Sequence, residues 1–245
     1  MKQDYFSDQA AEYARFRPTY PKELYASIFS YVRFFDAVWD CGTGNGQVAL
    51  ELAKHFKVVK ATDISAAQIQ RANRLPNIEY ICCPAEKSPF PAKSFDLITV
   101  ATALHWFDLP SYWREVSRVG KKGAILAVWF YSLIRITPEI DKIADNFCYN
   151  LMKKFWPPER QHVNRNYDDI VFPFQKVQDL TLENKFKWSR DHFLGYLESW
   201  SSVQQYMKRM HANPLNLIKK DLFDLWPETK SYEVNFPVIL KIFKI

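Results

Sequence analysis

The chain has 245 residues and a net charge of +6, from 33 Lys and Arg against 27 Asp and Glu; 48 % of it is apolar and 24 % charged. That balance can bury a sizeable core and excludes a disordered chain. The charge is evenly spread, 16 basic against 13 acidic residues in 1–129 and 17 against 14 in 130–245, or +3 in each part. With no basic tail or cluster, composition argues against a nucleic-acid partner. No run of 18 apolar residues marks a membrane span, and the opening MKQDYFSDQAAE lacks a signal-like apolar stretch. The four cysteines, Cys41, Cys82, Cys83 and Cys148, form no CxxC pair and no Cys/His spacing for zinc. They read as free thiols in a cytoplasmic protein with no metal site.

From about residue 36 to 130, short β-branched runs alternate with helical patterns. Ala37–Asp40 reads as a strand, and Val48, Leu52, Ala53 and Phe56 recur at helical spacing after it. Val58–Thr62 is a second strand, Ala66–Leu75 a helix and Ile78–Cys82 a third strand. The stretch from 83 to 94, with three prolines, is too short and broken for a crossover helix and is expected to loop over the carboxyl edge of the sheet. Phe95–Ala101 is apolar enough to be buried on both faces, a helix starts near Pro110–Ser111, and Gly123–Phe130 is a fifth strand. Such alternation requires right-handed crossovers and a mostly parallel sheet. Residues 131–180, broken at Trp156-Pro157-Pro158, read as inserted helices. Lys176–Ser189 and Glu233–Ile245 alternate like a late antiparallel pair joining the sheet, with Asp191–Met210 helical between them.

Three of only six glycines fall in Asp40-Cys41-Gly42-Thr43-Gly44-Asn45-Gly46, at a strand end opening a helix. Glycines there allow a tight turn and let the backbone approach a ligand that a Cβ would block. The spacing is GxGxG, not the GxGxxG dinucleotide fingerprint. The preceding Asp40 would repel a pyrophosphate but could hold an ammonium, directly or through water. Twenty-one residues after Gly42, the second strand ends at Asp63, where a carboxylate can accept both hydroxyls of a ribose.

With Ala85-Glu86 and the Pro89-Phe90-Pro91…Ser94-Phe95-Asp96 run before the fourth strand, these residues resemble the class I S-adenosylmethionine (SAM)-dependent methyltransferases, in their type 11 small-molecule branch. The resemblance covers residues 36–130. It implies an α/β fold: a Rossmann-like, seven-stranded, mostly parallel sheet with helices on both faces. One domain would span 1–245, with its core at about 36–130, lid segments at about 1–30 and 131–180, and late strands and a helix in 181–245. It implies that Asp40, Gly42, Gly44 and Gly46 receive the methionine part, Asp63 the ribose and Ile64 the adenine face. Ala85 and Glu86 would meet the adenine edge, and Ala101 would line the pocket.

Thr102-Ala103-Leu104-His105-Trp106-Phe107-Asp108 and Tyr13-Ala14-Arg15-Phe16-Arg17-Pro18-Thr19-Tyr20-Pro21 resemble a subset that includes trans-aconitate methyltransferase and methyltransferases of other small acids. Residues after the fourth strand sit beside the transferring methyl in this family, so His105 is a candidate base and Trp106 a candidate wall. Arg17 and Tyr20 would fold over the cofactor mouth, with Arg17 able to hold a carboxylate bidentately. The expected reaction is O-methylation of a small-molecule carboxylate or hydroxyl. A catalytically silent SAM-binding protein and an RNA methyltransferase remain open alternatives, as do the acceptor's identity and the oligomeric state, for which a monomer suffices.

Overall fold

A computed structural model describes residues 16–245. Tyr13-Ala14-Arg15, and with them the first half of the expected N-terminal lid, lie outside the described residues. In chain order the elements are α1 (Lys22–Phe29), β1 (Ala37–Cys41), α2 (Gln47–Leu52), β2 (Val58–Asp63), α3 (Ala66–Gln70), β3 (Ile78–Cys82), β4 (Phe95–Ala101), α4 (Leu109–Val119) and β5 (Gly120–Tyr131). They continue with α5 (Pro138–Asn146), α6 (Arg160–Asn164), β6 (Gln175–Leu182), β7 (Lys185–Ser189), α7 (Arg190–Glu198), α8 (Ser201–Met210), α9 (Lys219–Leu225), β8 (Ser231–Asn235) and β9 (Val238–Lys244).

The sheet runs β3-β2-β1-β4-β5-β9-β6, parallel from β3 to β5 and antiparallel through β9 and β6. This is the seven-stranded, mostly parallel architecture expected. Because side chains alternate along a strand, β5 feeds two cores. Ile125, Ala127 and Trp129 pack with Leu24 and Ile28 of α1 and with Val48 and Leu52 of α2. Leu126, Val128 and Phe130 pack with Tyr112 and Val116 of α4 and with Val163 and Tyr167 beyond it. β4 is buried along six of its seven residues, as expected for a central strand covered on both faces.

Several boundaries differ from expectation for identifiable reasons. The third helix stops at Gln70 instead of Leu75, and beyond its end the Asn73 carbonyl is taken by the Tyr80 hydroxyl at 3.0 Å. The segment expected as Asp191–Met210 is two helices, parted where Trp200 turns extended (φ −71°, ψ 136°). Strand five begins earlier, at Gly120. The late antiparallel pair is divided between two sheets, β6 with β9 in the main one and β7 with β8 in a separate ribbon. Pro237 lacks the N–H needed to carry one ladder into the other, and Asn184 secures the opposite turn by donating its backbone N–H to Asn235 Oδ1 at 2.9 Å.

Leu97, fully buried in β4, anchors the first of these cores. Leu97→Ala should lower unfolding free energy by about 2–5 kcal/mol, read from urea midpoints at unchanged m-value; a loss far smaller would show a looser core than described.

Candidate functional site

β1 pairs with β2 on one side and β4 on the other, so the chain departs in opposite directions from its carboxyl end, and open α/β sheets form their ligand crevice at such a point. Gly42, Gly44 and Gly46 all take left-handed backbone angles (φ +71°, +56° and +83°). The loop is held from below, where Gly42 and Thr43 both donate backbone N–H groups to the Thr62 carbonyl, at 2.8 and 2.9 Å. A Cβ on Gly42 would lie 2.6 Å from Ala103 Cβ, so the loops leaving β1 and β4 touch there. A Cβ on Gly44 would meet nothing within 4 Å; that backbone faces open space.

Asp40 is 1 % exposed. Thr43 donates its hydroxyl to one carboxylate oxygen at 2.5 Å, and Thr99 of β4 donates to the other at 2.8 Å. Asp63 is oriented by two backbone donors, Gly44 N–H and Ser65 N–H, each at 2.8 Å. Beside it Ile64 leaves 55 % of its surface exposed, unusual for an apolar side chain in so ordered a turn. The 83–94 loop crosses the same edge, with Cys83 N–H donating to the Asp63 carbonyl at 3.1 Å. Ala85 is buried, and Glu86 accepts the Asp108 N–H at 2.6 Å, tying the loop to the start of α4.

A cavity of about 50 Å³ is lined by Thr102 and, among others, by Arg17, His105, Trp106, Tyr131, Trp156 and Arg160. Thr102 has φ +54°, a conformation that costs energy in a β-branched residue and marks functional sites when it persists. Its hydroxyl is bonded to the Tyr20 hydroxyl at 2.9 Å, and its N–H donates to the Trp129 carbonyl at 2.7 Å. Arg17 donates to Tyr131 Oη at 2.6 Å and to the Ser199 carbonyl at 3.2 Å. Ala101 at the end of β4 adjoins this floor.

A family model for a methyltransferase domain matches residues 39–128. A Dictyostelium discoideum protein whose name calls it a methyltransferase is 35 % identical, with 98 % of this chain and 95 % of that one aligned. The chain belongs to the class I SAM-dependent methyltransferases. A solved structure from Anaeromyxobacter dehalogenans, described as a type II methyltransferase, superposes at a TM-score of 0.85 with 37 % identity, over 94 % of this chain and 98 % of that one. CRG1 of Saccharomyces cerevisiae, named as a SAM-dependent methyltransferase, is 29 % identical across 73 % of this chain and 64 % of its own length.

Of the residues singled out by sequence, the methyltransferase fold brings Asp40, the three glycines, Asp63, Ile64, Ala85 and Glu86 to one edge. It places Arg17, His105 and Trp106 in the lining of the cavity, with Tyr20 bonded to the lining residue Thr102 and Ala101 preceding it in β4. Among the described residues Arg17 reaches inward to Tyr131 and Ser199. His105 Nδ1 lies 2.8 Å from Tyr167 Oη. Burial, with the Arg160 charge second, pushes its pKa down to about 3, so the ring stays neutral and takes up a proton poorly near neutral pH. Sequence reasoning missed Thr102 as a strained lining residue, the walls built by Trp156 and Arg160, and the Tyr167 hydroxyl that meets His105. The Trp-Pro-Pro break at 156–158 was the available signal for the two walls. Among the described residues no His, Cys, Asp and Glu group is placed to hold a metal, and no helix is long and apolar enough to cross a membrane.

Burial raises the Asp40 pKa from 3.8 to about 6 against the pull of the two threonine hydroxyls. Between these values the folded protein retains a proton that the unfolded chain has lost, so ionising Asp40 removes stability as pH rises through that window. Asp40→Asn should therefore gain stability relative to the wild type as pH increases from 3.8 to about 6, measured by urea unfolding across the range; a constant difference would show that Asp40 titrates normally.

Proposed function

We propose that the enzyme methylates a carboxylate oxygen of a small acceptor bound in the cavity beyond Thr102, with SAM in the crevice between β1 and β4. The observation that carries this reading is that the two spaces share a wall: Thr102 lines the cavity, while Ala103, the next residue, packs against Gly42. A ligand lying along the glycine loop and one lying in the cavity would meet across that short backbone segment.

The residues fit the cofactor. The open space at Gly44 admits the methionine part close to the backbone, with Gly42 and Gly46 shaping the turn. Asp40, closed off by Thr43 and Thr99, acts on the ammonium through the loop it braces or through water. Asp63 is fixed with its carboxylate at the strand end, and a carboxylate has acceptor capacity beyond its two backbone donors, enough to take a ribose diol. The exposed Ile64 suits an adenine face, Ala85 and Glu86 its edge, and Ala101 the pocket wall.

When bound, SAM supplies an electrophilic methyl group on a sulfonium, and with it the driving force. The protein's part is alignment and exclusion of water. An acceptor oxygen lone pair would take the methyl as sulfur keeps the electron pair of its broken bond, and the chain's residues would hold that oxygen toward the crevice. A carboxylate needs no deprotonation for this, whereas a hydroxyl does. The low basicity of His105 thus favours a carboxylate acceptor, with His105 and Trp106 as walls, Arg17 as the carboxylate's partner and Tyr20 fixing Thr102.

Incubation with methyl-labelled SAM and a pool of small metabolites should label an acid as a base-labile methyl ester. SAM binding without labelling of any small molecule would favour a silent binding protein, and labelled RNA would redirect the reading. Asp63→Ala, confirmed folded by circular dichroism, should weaken binding of S-adenosylhomocysteine by about tenfold or more in calorimetry; unchanged affinity would discard the ribose assignment. Arg17→Ala should raise the acceptor KM by about tenfold while leaving S-adenosylhomocysteine affinity near wild type; constants that do not move would make Arg17 a packing residue.

A further inference from the structure

His105 sits in the short 3₁₀ turn Leu104–Trp106 after β4, 8 % exposed and in the lining of the cavity. Its Nδ1 lies 2.8 Å from the Tyr167 hydroxyl. Tyr167 is itself buried, its ring 4.4 Å from that of Phe130 in β5, and its backbone N–H donates to the His162 carbonyl at 2.8 Å. Burial keeps the Tyr167 hydroxyl protonated, and that proton has one acceptor within reach among the described residues, His105 Nδ1. The His105 backbone N–H also acts on the Tyr167 oxygen, opposing the rise that burial imposes on its pKa.

A neutral histidine carries one proton between its two ring nitrogens, and the partner of one nitrogen decides which of them holds it. With the proton on Nδ1, the buried Tyr167 hydroxyl would be left without an acceptor, a costly state for a group kept from water. With the hydroxyl donated to Nδ1, both groups are satisfied and the ring proton stands on Nε2. That nitrogen has no partner among the described residues and is not closed off from solvent, so it opens into the cavity that His105 lines. A second proton on the ring is opposed by burial first, and then by the charges of Arg160 and His162.

We infer that Tyr167 is a positioning residue that fixes the His105 tautomer, and that His105 acts on the acceptor as an uncharged hydrogen-bond donor through Nε2–H. The ring offers the cavity an N–H and no lone pair, so it takes no proton from an acceptor at this face. It can instead hold an acceptor oxygen, and a neutral N–H orients a carboxylate while withdrawing less of its charge than a cation would. This rests on the methyl-transfer reading above and assigns a contact that aims the acceptor within it.

Two-bond proton–nitrogen correlation spectra of protein carrying isotope-labelled histidine read the tautomer directly, with the His105 signals identified by their loss in His105→Gln. His105 should show a bare Nδ1 and a protonated Nε2, unchanged from about pH 5 to 8. In Tyr167→Phe, checked for folding by circular dichroism, the ring should become a mixture of both tautomers; if that variant does not fold, the wild-type spectrum decides alone. A wild-type ring protonated on Nδ1, a doubly protonated ring near neutral pH, or a pattern unmoved in folded Tyr167→Phe overturns the tautomer assignment. Benzoate, titrated into the S-adenosylhomocysteine-saturated enzyme as a carboxylate probe, should shift the Nε2 signal. His105→Phe should weaken benzoate binding by about tenfold, and His105→Gln, whose amide N–H can stand in for Nε2–H, should recover most of it. No binding of benzoate, or equal binding by the wild type and His105→Phe, overturns the donor role. Failure of the wild type to bind S-adenosylhomocysteine would instead count against the parent reading and leave the tautomer result, read without any ligand, to stand.

Discussion

The short span where the loops after β1 and β4 touch governs what else the molecule can be. Gly42 and Ala103 approach so closely that a side chain at position 42 has no room. The buried Asp40 carboxylate ties both strands to this point through Thr43 and Thr99. A carboxylate kept out of water needs such donors, since an unpaired one would cost several kcal/mol. Its two hydroxyl partners therefore lock the strand ends into one register. The cavity begins at the neighbouring Thr102, so on the proposed reading the rigidity of this span sets the geometry of the transfer.

Crevice and cavity are built from different parts of the chain. The crevice is made by consecutive strand–helix units between residues 37 and 108, where the candidate residues lie at strand ends or in the loops that follow them. The cavity draws on segments remote in sequence: Arg17 before α1, Tyr131 at the end of β5, the Trp156–Arg160 break, and Tyr196 with Trp200 at the α7–α8 junction. Gly195 contributes by lacking a side chain, since a Cβ there would lie 2.6 Å from the Phe16 ring and push the N-terminal segment off α7. The cavity walls thus hang on segments outside the strand–helix units that build the glycine-loop edge.

Strain and buried polar contacts mark where the cavity walls are set. Asn166 and Tyr167 are consecutive residues at positive φ (+55° and +56°), and the turn they form delivers the buried Tyr167 hydroxyl to His105. Nearby, Lys241 of β9 holds Asp168 at 2.9 Å and Asp179 of β6 at 3.1 Å, joining this turn to the sheet. The turn carrying Tyr167 is thereby pinned from both ends, which holds α6 and Arg160 in place over the cavity.

The parallel sheet and the grouping of the candidate cofactor residues on one edge were legible because their signals are local. A period of two in β5, the glycines of 42–46 and the acids at Asp40 and Asp63 each occupy positions fixed by a strand end, and consecutive crossovers stack those ends on one edge. What sequence could not decide depended on contacts between distant segments. Whether Arg17 faced water or the interior turned on the Tyr131 hydroxyl and the Ser199 carbonyl. The neutrality of His105 followed from burial beneath Tyr167, and the split of the late strands from Pro237 and an asparagine-bound turn. Local chain chemistry thus wrote the fold and the glycine-loop edge, whereas the cavity walls were decided only by long-range packing, because side chains more than a hundred residues apart carry no shared period by which they could be matched.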